Sequence, residues 1–160
     1  MREPVMEPVV LRSETITCPH GFSTRLGGVS EGIFEGLNLG RLDLGDEPER
    51  VAKNWELFGN ACGIDASRFV HGRQVHGNTV RLAVREDAHG ISERSSIEAD
   101  GYVTDLPGLP LAVFTADCTP LLMQDPEAGV IAAVHCGWRP VADLQGLLYI
   151  KNTCKGADIL

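Results

Sequence analysis

Apolar residues recur at helical spacing in one part of the chain, directly after Asp46. Intervals of three and four residues place such positions on one face of a helix. Asp46 followed by Glu49 is typical of a capping box, Pro48 is tolerated in a first turn, and Gly63 suits a helix end. The pattern predicts a scaffold helix from about Asp46 to Gly63. Its apolar stripe is Val51, Trp55, Phe58 and Cys62.

Short apolar runs bounded by turn residues predict strands elsewhere. Six of them are Val9–Thr17, His20–Thr24, Gly101–Thr104, Leu111–Thr115, Pro120–Gln124 and Val130–His135. The run 130–134 is apolar throughout, which indicates a strand covered on both faces. Two further runs, Phe69–Val75 and Thr79–Val84, predict a strand pair that turns at Gly77 and Asn78.

Three segments lack a strand pattern. The glycine-rich stretch 25–40, RLGGVSEGIFEGLNLG, predicts an ordered loop packed by its own apolar side chains. The polar stretch Arg85–Ser96 predicts an exposed loop, and 140–155 is weakly helical.

Composition narrows the class of protein. The 160 residues fit one domain, and 43% hydrophobic content is ordinary for a globular protein. A net charge of −8 argues against a nucleic-acid partner, and no apolar run is long enough to span a membrane. The N-terminus does not resemble a secretory signal, and five widely spaced cysteines favour reduced thiols. We therefore expect a cytoplasmic protein.

One cysteine and two histidines stand beside turns at the ends of predicted strands. They are His76, Cys118 and His135. One thiolate and two imidazoles suit a zinc ion with an open coordination position, the arrangement of catalytic sites. Each residue alone is more often a packed or surface group, and the same set could hold copper. Cys136 is expected to point to the opposite face of its strand from His135.

Arg25 stands beside Gly27 and Gly28, whose N–H groups can approach a phosphate or carboxylate closely. A glycine turn beside a surface arginine is the simpler interpretation. Further polar residues next to glycines or turns are Asn38, Asp117 and Arg139. His71 and His89 lie in less constrained settings, and we assign them no role.

Three blocks together resemble a known family. They are HGFSTRLGGVSEGIFEGLNLG (20–40), RQVHG (73–77) and EADGYVTDLPGLPLAVFTADCTPLLMQDPEAGVIAAVHCGWR (98–139). Over about residues 16–139 the chain resembles the laccase-domain family, which is named for polyphenol oxidases and associated with purine nucleoside phosphorolysis. The resemblance implies an α/β (α+β) fold of mixed β-sheets, stacked and flanked by helices, of the YfiH-like laccase-domain type.

The resemblance also implies roles for single residues. His76, Cys118 and His135 would bind Zn²⁺ and serve catalysis, and Arg25 would hold an anion in the substrate pocket. Asn38 and Arg139 are added as substrate-binding candidates, and Asp117 as a proton shuttle. The implied activities are phosphorolysis of adenosine, inosine, guanosine and methylthioadenosine, together with adenosine deamination.

The chain departs from the family pattern after Arg139. Cys136 stands where alanine is usual, and Pro140-Val141 replaces Gly-Thr. A long C-terminal portion is missing, so we expect a single laccase-type domain over 1–160, truncated at its C-terminus, whose open sheet edges favour a homo-oligomer. Two alternatives stay open. One is a copper-dependent (Cu²⁺) polyphenol oxidase, although five histidines are few for several copper ions; the other is an inactive truncated paralogue that acts as a binding protein.

Overall fold

The computed structural model describes residues 6–40, 45–91 and 95–138. The chain divides into two compact units, Met1–Ser67 and Arg68–Leu160, and each is described by itself. The weak helix predicted for 140–155, and Arg139, lie outside the described residues. No helix in the described ranges has the length and apolarity to cross a membrane.

The first unit contains a small ribbon and a helix. Strand β1 (Val10–Leu11) pairs antiparallel with β2 (Phe22–Ser23), so both predicted strands exist but are much shorter than expected. A 3₁₀ turn follows at Gly32–Phe34, and helix α1 spans Pro48–Cys62. The predicted apolar stripe of α1 is confirmed, since all four of its members are buried.

The end of α1 is as predicted, but its start is not. Gly63 adopts the left-handed conformation (φ 73°) that glycine allows at a helix end. The N-cap, however, is Glu47, and no side chain caps the first turn. The predicted capping box of Asp46 and Glu49 is therefore wrong, because Asp46 precedes the N-cap and its carboxylate binds the glycine-rich loop instead.

The second unit is built on a four-stranded mixed sheet. Its strands are β3 (Val80–Leu82), β4 (Gly101–Thr104), β5 (Thr119–Asp125) and β6 (Val130–Cys136). Their order is β3-β4-β6-β5; β3 runs parallel to β4, and the other two pairings are antiparallel. A short 3₁₀ turn covers Arg85–Asp87. Mixed sheets with few helices place the fold in the α+β class, as predicted.

Both faces of this sheet are covered by apolar side chains. One face carries Val103, Val130, Ala132 and Val134. A second cluster is Val70, Ala83, Ala99, Tyr102 and Leu109. Since Tyr102 and Val103 are neighbours on β4, they point to opposite faces. The prediction that β6 is covered on both sides is confirmed.

The predicted pairing of Phe69–Val75 with Thr79–Val84 is wrong. Val70 instead bridges to Leu111, and Arg73 bridges to Glu98, while β3 pairs with β4. A strand over Leu111–Thr115 is also wrong, since only Leu111 makes a bridge. The stretch Arg85–Ser96 is not uniformly exposed, because Gly90 and Ser95 are buried. Partners distant in sequence decided these pairings, and local turn residues could not reveal them.

Candidate metal centre

His76 lies in a tight turn that is held by one carboxylate. Its φ is +58°, a left-handed conformation that is unfavourable for residues other than glycine. The backbone N–H groups of Val75, His76 and Gly77 all donate to Asp100, at 3.2, 2.9 and 2.9 Å. Three hydrogen bonds to a buried carboxylate offset the cost of the turn, which presents the exposed His76 ring at its tip.

His135 is placed by the sheet and by the same carboxylate. Near the end of β6 its backbone N–H donates to the carbonyl oxygen of Asp100 at 2.7 Å. Its ring Nδ1 lies 2.9 Å from Asp100 Oδ1, and both side chains are buried. When Nδ1 carries the proton and donates to the carboxylate, Nε2 keeps a lone pair for a ligand.

Cys118 directly precedes β5 and is half-buried. The segment that leads to it is fastened by Gln74, whose side-chain amide donates to Phe114 O at 2.6 Å and accepts from Phe114 N at 2.7 Å. These two hydrogen bonds join the backbone at Phe114, four residues before Cys118, to Gln74, two residues before His76. The elements that carry Cys118 and His76 are thus tied directly together.

The structure brings the three predicted ligands together. The ligand atoms of His76, Cys118 and His135 all lie within 4.8 Å of one another, and the two imidazole rings stand nearly perpendicular, with centroids 4.8 Å apart. Ligand atoms around one tetrahedral zinc ion stand about 3.4–3.7 Å apart. Atoms this close are within reach of one shared ion, and a two-nitrogen, one-sulfur donor set suits zinc or copper.

Cys136 is excluded from this cluster, as its place on the strand predicted. It packs with the apolar cluster of Val103 and Val134 on the other face of the sheet, and burial raises the pKa of its thiol. Cys118, close to the two histidine rings, is therefore the thiol that is positioned for a metal site.

Asp100 lies at the centre of this arrangement, and its position was not predicted from the sequence. It is 1% exposed and binds backbone and ring donors up to 35 residues away. A buried acid requires such partners, and the signal in the sequence was an aspartate directly before the run Gly101–Thr104. The sequence alone did not show which residues would surround it.

The other candidates do not belong to this ligand group, and the expectation that His71 lies in a less constrained setting is wrong because its ring is buried. Asp117 directly precedes Cys118, and its side chain is exposed. His71 is buried and stacks on His89, with ring centroids 4.9 Å apart, and its Nε2 lies 3.0 Å from Gly90 O. Neither of these histidines belongs to the ligand group found among the described residues.

Arg25 belongs to the first unit and lies on the glycine-rich loop. Its side chain is exposed, and Nε donates to Glu35 O at 2.9 Å. The backbone of the loop is closed by Leu37 N–H, which donates to Arg25 O at 2.9 Å. The single bond to Glu35 fixes one edge of the guanidinium and leaves its two terminal amino groups as the donors that an anion would meet.

The glycine-rich loop is ordered by Asn54 of α1, which is completely buried. Asn54 Oδ1 accepts from Val29 N at 2.8 Å, and Nδ2 donates to Ser30 Oγ at 2.9 Å and to Asn38 O at 3.0 Å. The order predicted for this loop is confirmed. It results mainly from a polar anchor, whereas we expected apolar packing.

The Asn38 side chain is engaged inside the same loop. Its Nδ2 donates to Asp46 at 2.8 Å, and its Oδ1 accepts from Gly40 N at 2.9 Å. Hydrogen bonds from Ser30, and then from Asn38 and Glu47 N, lower the pKa of Asp46. Asn38 therefore shapes the loop, and any contribution to binding comes through the position of its neighbours.

Comparison with known proteins identifies the family of the chain. Residues 19–148 match the family model described as multi-copper polyphenol oxidoreductase laccase. The chain belongs to this laccase family. A relative from Deinococcus radiodurans named purine nucleoside phosphorylase is 46% identical over 130 residues, which is 81% of this chain and 47% of the relative. A protein of the same name from Corynebacterium glutamicum is 43% identical over 117 residues, 72% of this chain and 46% of its own.

Solved structures of other bacterial proteins share the fold. YlmD from Geobacillus stearothermophilus superposes with a TM-score of 0.74 at 28% identity, over 95% of this chain and 54% of that one. The hypothetical protein YfiH from Bacillus licheniformis also superposes with a TM-score of 0.74, at 29% identity. This match covers 86% of this chain and 53% of YfiH. The chain spans about half the length of the relatives it matches.

Proposed function

We propose that this protein is a zinc-dependent purine nucleoside phosphorylase that also deaminates adenosine. The main support is the cluster of His76, Cys118 and His135, found in a chain whose relatives are named purine nucleoside phosphorylases. The proposed substrates are phosphate and a purine nucleoside, namely adenosine, inosine, guanosine or methylthioadenosine. We further propose that 1–160 acts as one laccase-type domain, in the cytoplasm and as a homo-oligomer.

The three ligand side chains would hold the ion, which when bound supplies a Lewis acid at neutral pH. Arg25 and the N–H groups of its glycine-rich loop would bind phosphate. In phosphorolysis a phosphate oxygen bonds to C1′ of the ribose while the bond from C1′ to the base breaks. The base leaves with the electron pair of that bond and takes up a proton. We assign the donation of this proton to Asp117. Arg139 is kept as a second substrate-binding candidate.

The proposal is tested by combining metal analysis with turnover. Purified protein supplied with zinc and phosphate should convert inosine to hypoxanthine and ribose 1-phosphate. Both products are measured by chromatography. His76→Ala, Cys118→Ala and His135→Ala should each lose most of the bound zinc and the activity. Cys136→Ala is the matched control, since it removes a neighbouring thiol from the opposite face of the sheet. A folded, zinc-loaded protein without phosphate-dependent turnover would reject the proposal.

The laccase name of the family supports one alternative, a copper-dependent polyphenol oxidase. The described residues contain a single group of three clustered metal-binding side chains, whereas a multicopper enzyme needs several. Stoichiometric copper, a strong visible absorption band and oxidation of a phenol would favour this alternative. Bound metal with neither activity would favour a binding protein without catalysis.

A further inference from the structure

Asp100 connects two of the three proposed ligands. Its Oδ1 accepts from His76 N and lies 2.9 Å from His135 Nδ1, while its Oδ2 accepts from Val75 N and Gly77 N. It is 1% exposed, and both carboxylate oxygens are occupied. One side chain thus contacts the imidazole of the buried ligand and the backbone that carries the exposed one.

The contact with His135 decides which ring nitrogen carries the proton. A carboxylate only accepts hydrogen bonds, so Nδ1 must donate the proton. In a neutral ring the lone pair is then on Nε2, the nitrogen on the side of the ring away from Asp100. In metalloproteins a partner of this kind fixes the tautomer and the orientation of a histidine ligand.

The contact with 75–77 determines where His76 stands. Without an acceptor, three N–H groups that converge on one point in a left-handed turn would lose their partners and the turn would relax. The carboxylate therefore holds the exposed ligand through its backbone.

We infer that Asp100 is the positioning residue of the metal centre, which fixes the His135 tautomer and the His76 turn before any ion binds. This inference rests on the proposed metal site, but it does not depend on the reaction that the site supports. Asp100 touches neither the ion nor the substrate in this assignment.

The sharpest test is Asp100→Asn, which keeps the size of the side chain but replaces one acceptor with a donor. If the new NH₂ faces His135, the ring must move its proton to Nε2 and loses the ligand lone pair. If it faces Val75 and Gly77, two loop N–H groups lose their acceptor. In either orientation zinc affinity should fall about 10- to 100-fold, as is usual for second partners of metal ligands.

Asp125→Asn is the matched control. Asp125 Oδ1 accepts from Glu127 N at 3.1 Å and from Ala128 N at 2.9 Å, at the turn between β5 and β6. The same substitution is thus made at another carboxylate that binds backbone N–H groups, but contacts no histidine. Zinc affinity is measured by competition with a chromophoric chelator, and ligand geometry by the visible spectrum of the Co²⁺-loaded protein.

The tautomer is measured without metal, by ¹⁵N NMR of the histidine rings near pH 8, where a free imidazole is neutral. The parent protein should show His135 as the Nδ1–H form, and Asp100→Asn should change that signal. An Nε2–H form in the parent would overturn the inference even if the variant failed to fold. Equal zinc affinities in the parent and Asp100→Asn would also overturn it. Zinc binding without nucleoside turnover would reject the proposed function and leave this inference standing.

Discussion

Asn54→Ala should destabilise the first unit strongly, because it removes the buried anchor of the glycine-rich loop. The substitution leaves Val29 N–H without its acceptor and Asn38 O without its donor. Each buried polar group that loses its partner costs about 1–3 kcal/mol. Alanine regains about 0.5 kcal/mol as the better helix former. The expected net loss is about 3 kcal/mol, a large share of the roughly 5–15 kcal/mol that stabilises a typical domain.

The loss is measured by urea unfolding, followed by the fluorescence of Trp55, which is buried on the same helix. Asn60→Ala is the matched control, since Asn60 is exposed on α1 and the substitution brings the same gain in helix propensity. The difference between the two variants therefore isolates the buried hydrogen bonds. A difference below about 1 kcal/mol would mean that Asn54 does not hold the loop, because even one unsatisfied group costs that much.

Three further predictions concern the glycine-rich loop and the metal centre. Hydrogen bonds in the loop lower the pKa of Asp46, so its stabilising effect is present above the unfolded pKa near 4 and is lost as pH falls through the lower folded value. Asp46→Asn should be less stable than the parent at pH 7, and the gap in unfolding free energy should narrow below about pH 4; a constant gap would contradict this. Gln74→Leu removes both hydrogen bonds to Phe114 and should weaken zinc binding by about 10-fold, as measured in a chelator titration. Unchanged zinc affinity would show that Cys118 is held by other contacts. Gly28→Ala should lower the free energy of unfolding, measured in urea, by more than about 2 kcal/mol. The reason is that φ at Gly28 is +84° and the new Cβ would lie 2.6 Å from Gly36 O. Stability equal to that of the parent would mean that the loop shifts freely.

The sequence was sufficient where the information is local and periodic. Helix α1 was predicted to within about two residues because its buried positions repeat every three or four residues and Gly63 ends it. The apolar run of β6 was equally clear. Pro48 could be placed in the first turn, but the cap could not, because Asp46 is drawn to Ser30 and Asn38 by contacts that the order of residues does not show.

The sequence was insufficient where partners lie far apart along the chain. The turn at 75–77 looked like a hairpin, since Gly77 and Asn78 stand between two apolar runs. It is instead a loop around the carboxylate of Asp100, 23 to 25 residues away. The three ligands could be nominated from their residue types and the ends of strands. Their approach to within 4.8 Å required the tertiary structure.

The face on which His135 lies is decided by the register of the sheet. Gly101 pairs with Val134, which brings His135 opposite Asp100. A slip of one residue in β6 would send His135 to the other face and bring Val134 out of its apolar cluster. Burying a valine side chain contributes about 1.5–3 kcal/mol, so the packing of Val130, Ala132 and Val134 opposes the slip. The alternation that builds the core thus also aims His135 at Asp100, and a polar substitution at Val134 should weaken metal binding without touching a ligand.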